Sequence, residues 1–106
     1  PASTPSAPAD RQAAINVANA YAATQYGVTT DTSLTLDNSA YRFPAAVPVE
    51  TSQETLEAKA KDVVDFTFRQ LMMQAGVDSL ADAGFRCNVC IIEDGGSLLI
   101  YVLYDG

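Results

Sequence analysis

A chain of 106 residues supports one hydrophobic core and is too short for two. Its 48% hydrophobic and 18% charged content sets it apart from disordered polypeptides. Thirteen acidic residues against six basic ones give a formal charge of −7, which argues against nucleic acid and anionic lipid as partners because both are bound through Lys and Arg.

Histidine is absent, and this removes Ser-His-Asp and Cys-His nucleophiles together with imidazole-ligated metals. Two cysteines alone do not complete a structural zinc site, which takes about four N/S ligands. Carboxylate, lysine and tyrosine chemistry stay formally open. No apolar run approaches the ~20 residues needed to cross a bilayer, so no membrane-spanning segment is expected.

Residues Pro1 to Ala9 contain only Pro, Ala, Ser and Thr, bury little and read as a flexible tether with polyproline II character. Residues 10–106 then form a single domain. The chain opens at Pro1 without methionine, as expected of a processed or trimmed product. Tethers of this composition commonly follow signal peptides or lipid-anchor sites in exported bacterial proteins. An extracytoplasmic, surface-tethered location is therefore expected, with a cytoplasmic or phage protein carrying a floppy terminus as the alternative.

Asp10 is a suitable N-cap for a helix over 11–26, closed by Gly27. Ile15, Ala18, Ala22 and Tyr26 share one face, and so many alanines allow a close approach to a neighbour. From Val28 to Asp37 the period changes to two, with Thr30, Thr32, Leu34 and Leu36 on one side, as in a half-exposed strand. Tyr41-Arg42-Phe43 can continue as a short strand, and Pro44 to Pro48 reads as a loop.

Thr51-Ser52-Gln53-Glu54 matches a capping box. Leu56, Ala60, Val63, Val64, Phe68, Leu71, Met72 and Ala75 follow helical spacing up to a stop at Gly76. Glu57–Lys61 and Asp65–Arg69 are spaced for i, i+4 ion pairs on a solvated face. Phe66 and Met73 fall off the apolar stripe. Val77 to Gly84 reads as a short link.

Asp94-Gly95-Gly96, between two β-rich runs, is a strong hairpin signal. The run Leu98 to Tyr104 is apolar throughout, so it is expected at the middle of the sheet and covered on both faces. The order α-β-β-α-β-β then assembles most economically as an α+β two-layer sandwich, two helices packed on one largely antiparallel sheet. Leu56, Val63, Phe68, Leu71, Met72, Ile91, Leu98 or Leu99, Ile100 and Val102 form the expected core.

Cys87-Asn88-Val89-Cys90 has the spacing of a redox Cys-x-x-Cys, but it lies in a strand rather than at a helix N-terminus. Three residues of strand span ~10 Å, beyond the ~7 Å that a disulfide tolerates, and odd spacing sends the side chains to opposite faces. Cys87 and Cys90 are the only candidates for thiol or disulfide chemistry, and a structural role is the simpler reading. Glu93 and Asp94 point apart, Tyr101 and Tyr104 point apart, and no phosphate-cradling glycine motif is present. No catalytic, cofactor-binding or metal-ligating residue is assigned, and no cofactor is expected.

The sequence therefore favours a non-enzymatic binding module for a protein or small ligand. An acidic inhibitor or immunity-type protein covering a basic partner is the first alternative. A small enzyme using carboxylate or tyrosine chemistry is the second.

Overall fold

The computed structural model describes residues 9–42 and 44–105. In chain order the elements are α1 (Arg11–Tyr26), β1 (Thr29–Thr30), β2 (Ala45–Pro48), α2 (Gln53–Ala75), β3 (Arg86–Asp94) and β4 (Ser97–Asp105). The strands form one sheet in the order β1-β3-β4-β2. β4 pairs antiparallel with both neighbours, and the two-residue β1 pairs parallel with β3. This is the expected α+β sandwich with a short parallel edge added. The tether expected over 1–9 lies outside the described residues except for Ala9, which packs against the core.

Both helices take the ends their caps specify. The Asp10 carboxylate accepts the Ala13 N–H, and Gly27 closes α1 in the left-handed region at φ 69°. A side chain at Gly27 would also collide with Ala81, because an added Cβ falls 2.7 Å from the Ala81 Cβ. In α2 the cap is Ser52, which accepts from Thr55 N–H, so the box expected on Thr51 and Glu54 is displaced by one residue. Asp10 also bonds Gln53 at the start of α2, and the two helices run side by side in the same direction from the hairpin end of the sheet.

The hairpin turns on Gly95 and Gly96, both at positive φ, as a type I′ turn requires. Its register runs unbroken from Arg86↔Asp105 to Asp94↔Ser97. Val89, Ile91, Leu98, Ile100 and Val102 meet Ala14, Ala18, Leu56, Ala60, Val64 and Phe68 in one core. The closest face of α1 is Ala14-Ala18-Ala22, and Ile15 is only half-buried. Leu71 and Met72 are likewise half-buried at the rim, and Leu99 belongs to the opposite face of the sheet.

Two expectations fail between residues 28 and 48. The strand expected over 28–37 stops after Thr30, because Asp31 Oδ1 accepts both the N–H and the hydroxyl of Ser33 and folds the chain into a turn. Asn38 then binds the Thr35 N–H and the Ser33 carbonyl, which knits 31–39 into a compact loop. The second strand is Ala45–Pro48, within the expected loop; of the strand expected over 41–43, residues 41–42 are not in a strand and 43 lies outside the described residues. Val49 N–H donates to the Gly96 carbonyl, so by the alternation of the ladder the nitrogens of Ala46 and Pro48 face away from β4. An edge strand tolerates proline at those positions.

Cover on the second face of β4 is also less than expected. Leu103 is fully buried and the loop residue Leu34 nearly so, and both lie outside the helix-side core. Leu99 and Tyr101 stay half-buried, with the Tyr41 ring set edge-on to Tyr101 at 5.0 Å.

Candidate functional site

The thiols occupy a regular strand. Cys87 is opposite Tyr104 and Cys90 opposite Tyr101, three pairs apart in a ladder without a bulge. Both are free; Cys87 is buried in the core and Cys90 half-buried on the other face. Burial pushes the Cys87 thiol up to about 12 and also raises that of Cys90, the opposite of what a reactive thiolate needs. In this geometry the two thiols stand on opposite faces of the strand and are not bonded to each other.

A cluster of ionisable groups lies between the helices. Tyr21 and Tyr26 both donate to Asp65, at 2.9 and 2.6 Å, and Arg69 stands 3.9 Å from the same carboxylate. Asp65 therefore clamps α1 to α2 and is more than half of a surface ion pair. Its expected counterpart, Glu57–Lys61, does not form: Glu57 accepts from Gln53, and Lys61 lies over the Tyr21 ring. Burial and then the bond to Asp65 push Tyr26 up to about 12, while Tyr21 is raised chiefly by its bond to Asp65. Tyrosines held protonated in this way donate hydrogen bonds and are poor bases.

The feature without a structural explanation is the free side of β3. Thr29 N–H reaches the Phe85 carbonyl, and Asp31 N–H reaches the Cys87 carbonyl. Odd-numbered residues of β3 thus turn their backbone groups toward β1, and even-numbered ones face β4. The turn at Asp31 then carries the chain off the sheet. The next odd donor, Val89 N–H, is taken at 2.9 Å by Oδ1 of Asn19 from α1. Beyond it the Val89 carbonyl, both backbone groups of Ile91 and the Glu93 N–H lie along an edge that no described residue pairs.

Asn19 belongs to a relay. Its Nδ2 is 3.5 Å from Asn88 Oδ1, and Asn88 Nδ2 donates to the Leu34 carbonyl at 2.9 Å. Helix, strand and loop are joined by two amides at the point where the edge opens. Asn19 was missed in the sequence, where the only signal is a polar residue beside an alanine stripe.

The edge lines a groove of about 510 Å³ whose other walls include Gln12, Ile15, Asn16 and Ala20 of α1 and the hydroxyls of Thr30 and Thr32. None of its lining side chains is charged, so it presents amides, hydroxyls, aliphatic carbon and the Cys90 thiol. A depression of equal volume beside Asp37, Ser39 and Tyr104 differs in kind. There the Ala40 and Tyr104 backbones bond each other reciprocally at 3.0 and 2.9 Å, leaving that strand end satisfied.

Among the described residues no cluster of three or more His, Cys, Asp or Glu is placed to hold a metal, and no helix is long and apolar enough to cross a membrane. No protein-family model, no curated protein and no solved structure matches this chain.

Proposed function

We propose that the protein is a non-enzymatic binding module that receives a protein or small ligand in the groove between α1 and β3. The observation that carries this reading is the backbone of Ile91 on the groove lining, and of Glu93 beyond it on the same strand, which no described residue pairs. Unsatisfied donors and acceptors beside aliphatic carbon hold a ligand by hydrogen bonds and shape. Its composition suits binding better than catalysis: the one ionisable side chain on its lining is the Cys90 thiol, which burial holds in the protonated, unreactive form. The enzymatic alternative would draw on Tyr21, Tyr26 and Asp65, whose mutual bonds support a helix clamp instead. The inhibitor alternative draws on the charge of −7 and would use the same groove.

The extracytoplasmic, surface-tethered location is part of this proposal and rests on the composition of residues 1–9. A signal peptide or lipobox encoded upstream of Pro1 would support it, and a cytoplasmic pool of the native protein would count against it.

Amide shift mapping against a mixed library of small fragments and capped short peptides tests the groove. Shifts gathered on Ala20, Thr30, Thr32 and 88–91 are expected. Shifts gathered instead around Tyr41 and Tyr101, or around Phe66 and Met73, would place the binding surface elsewhere.

A further inference from the structure

We infer that the groove takes an extended, cationic segment of another polypeptide, which pairs with β3 from Val89 to Glu93 and completes the strand column that β1 begins. This deepens the reading of the groove as a binding site and rests on it.

The first argument is how the sheet treats its two edges. On β2 the outward-facing nitrogens are those of Ala46 and Pro48; Pro48, like Pro44 just before the strand, lacks an N–H and deters strand addition. On β3 the outward positions past Asn19 are Ile91 and Glu93, with both groups intact. One edge is interrupted by proline, and the other, among the described residues, is left able to pair. The Asn19 side chain fills the last hydrogen-bonding place before the opening, as a terminal residue of a neighbouring strand would. Five residues from Val89 to Glu93 span ~13 Å, enough for four or five residues of added strand.

The second argument selects the occupant. α1 lies over β3 and β1 and overhangs the edge, with Ile15 and Asn16 on the groove wall. Strands pair ~4.8 Å apart, whereas packed helices need ~8–10 Å. Joining two copies along β3 would bring two α1 helices to one seam too narrow for both. A single strand has no such helix and fits beneath the overhang. Farther along β3 from the groove lining stand Glu93 and Asp94, both exposed, in a chain of net charge −7. The uncharged walls suit alternating small apolar and hydroxyl side chains, and the acidic end suits Lys or Arg.

The test uses the folded chain labelled with ¹⁵N and two capped peptides, Lys-Thr-Val-Thr-Val and its reverse, Val-Thr-Val-Thr-Lys, at about 1 mM each. At least one should slow hydrogen exchange of the Ile91 and Glu93 amides by tenfold or more, and the one that does gives the strand direction. N-methylating the valine amides should abolish the effect. Replacing Lys by Glu should weaken binding about tenfold. Ala20→Trp, at an exposed groove position that the core does not use, should block binding while leaving unfolding unchanged. Glu93→Lys should remove the preference for Lys and serves as a second variant should Ala20→Trp misfold.

If neither peptide protects Ile91, or the N-methylated forms bind equally well, strand addition is overturned. Small fragments that still shift the groove would then leave the binding-module reading standing. Protection of Ile91 that rises with protein concentration, together with a dimer in sedimentation, would assign the edge to a second copy and also overturn the proposal.

Discussion

Replacing Asn19 by alanine isolates what this side chain contributes at the edge of β3. Asn19 is only 7% exposed, and its Oδ1 takes the Val89 N–H at 2.9 Å, while its bond to Asn88 is 3.5 Å long. The first distance is that of a well-formed hydrogen bond and the second is at the limit of one. A buried donor left unpaired costs about 1–3 kcal/mol. Water entering from the groove moves the figure to about 1–2 kcal/mol. Alanine's better helix propensity returns roughly 0.5 kcal/mol, leaving a net loss of about 1 kcal/mol. For a domain of this size that lowers Tm by about 4–8 °C, measured by thermal unfolding followed by circular dichroism. Asn88→Ala and the double variant complete a cycle. Because the Asn19–Asn88 bond is long, the two losses should add to within ~0.5 kcal/mol. An unchanged or raised Tm for Asn19→Ala would refute the view that Asn19 caps the edge. Coupling above ~1 kcal/mol would show that the two amides act as one unit.

Three further outcomes follow from the same geometry. Phe68, fully buried against the rings of Tyr26 and Tyr104, should cost about 3–5 kcal/mol on truncation to alanine, and a chemical-denaturation loss below ~1 kcal/mol would remove it from the core. A thiol reagent on the native protein should label Cys90 before Cys87, since Cys87 is the more deeply buried and is pushed up to about 12; equal, rapid labelling of both would contradict the packing. Tyr26, also pushed up to about 12, binds its proton more tightly folded than unfolded, so its stabilisation is complete below pH ~10 and is lost as pH rises through about 12. Ultraviolet titration should show this late ionisation in the native chain and lose it in Tyr26→Phe; a late step that survives belongs to another residue.

Local signals made much of the fold legible. Asp10 and Gly27 bracket α1, Gly76 ends α2, and Asp94-Gly95-Gly96 sets the hairpin, because each acts through its own few residues of backbone. The failures share a different cause. Alternation over 28–37 looks like a strand, yet Asp31 and Asn38 bind the backbone and win the chain for a loop. Pro48 looks like a loop residue, yet it fits an outer edge, and only the placement of β2 beside β4 shows which edge that is. The candidate site was illegible for the same reason. The opening beside β3 exists because β1 stops early and Asn19 comes from 70 residues away, and neither is written in any local pattern.

Residue-resolved hydrogen exchange on the free protein tests the central claim most directly. The amides of Asn88, Cys90 and Ile92 face β4 and should be protected in step with the whole sheet, as bonded amides are. Those of Ile91, on the groove, and Glu93, beyond it on the same strand, face away from β4 and should exchange at least ~100-fold faster than their neighbours on either side. Such an alternation along one strand would establish an open edge. Uniform protection from Asn88 to Glu93 would mean that this edge is already paired, and the groove would no longer be the binding site.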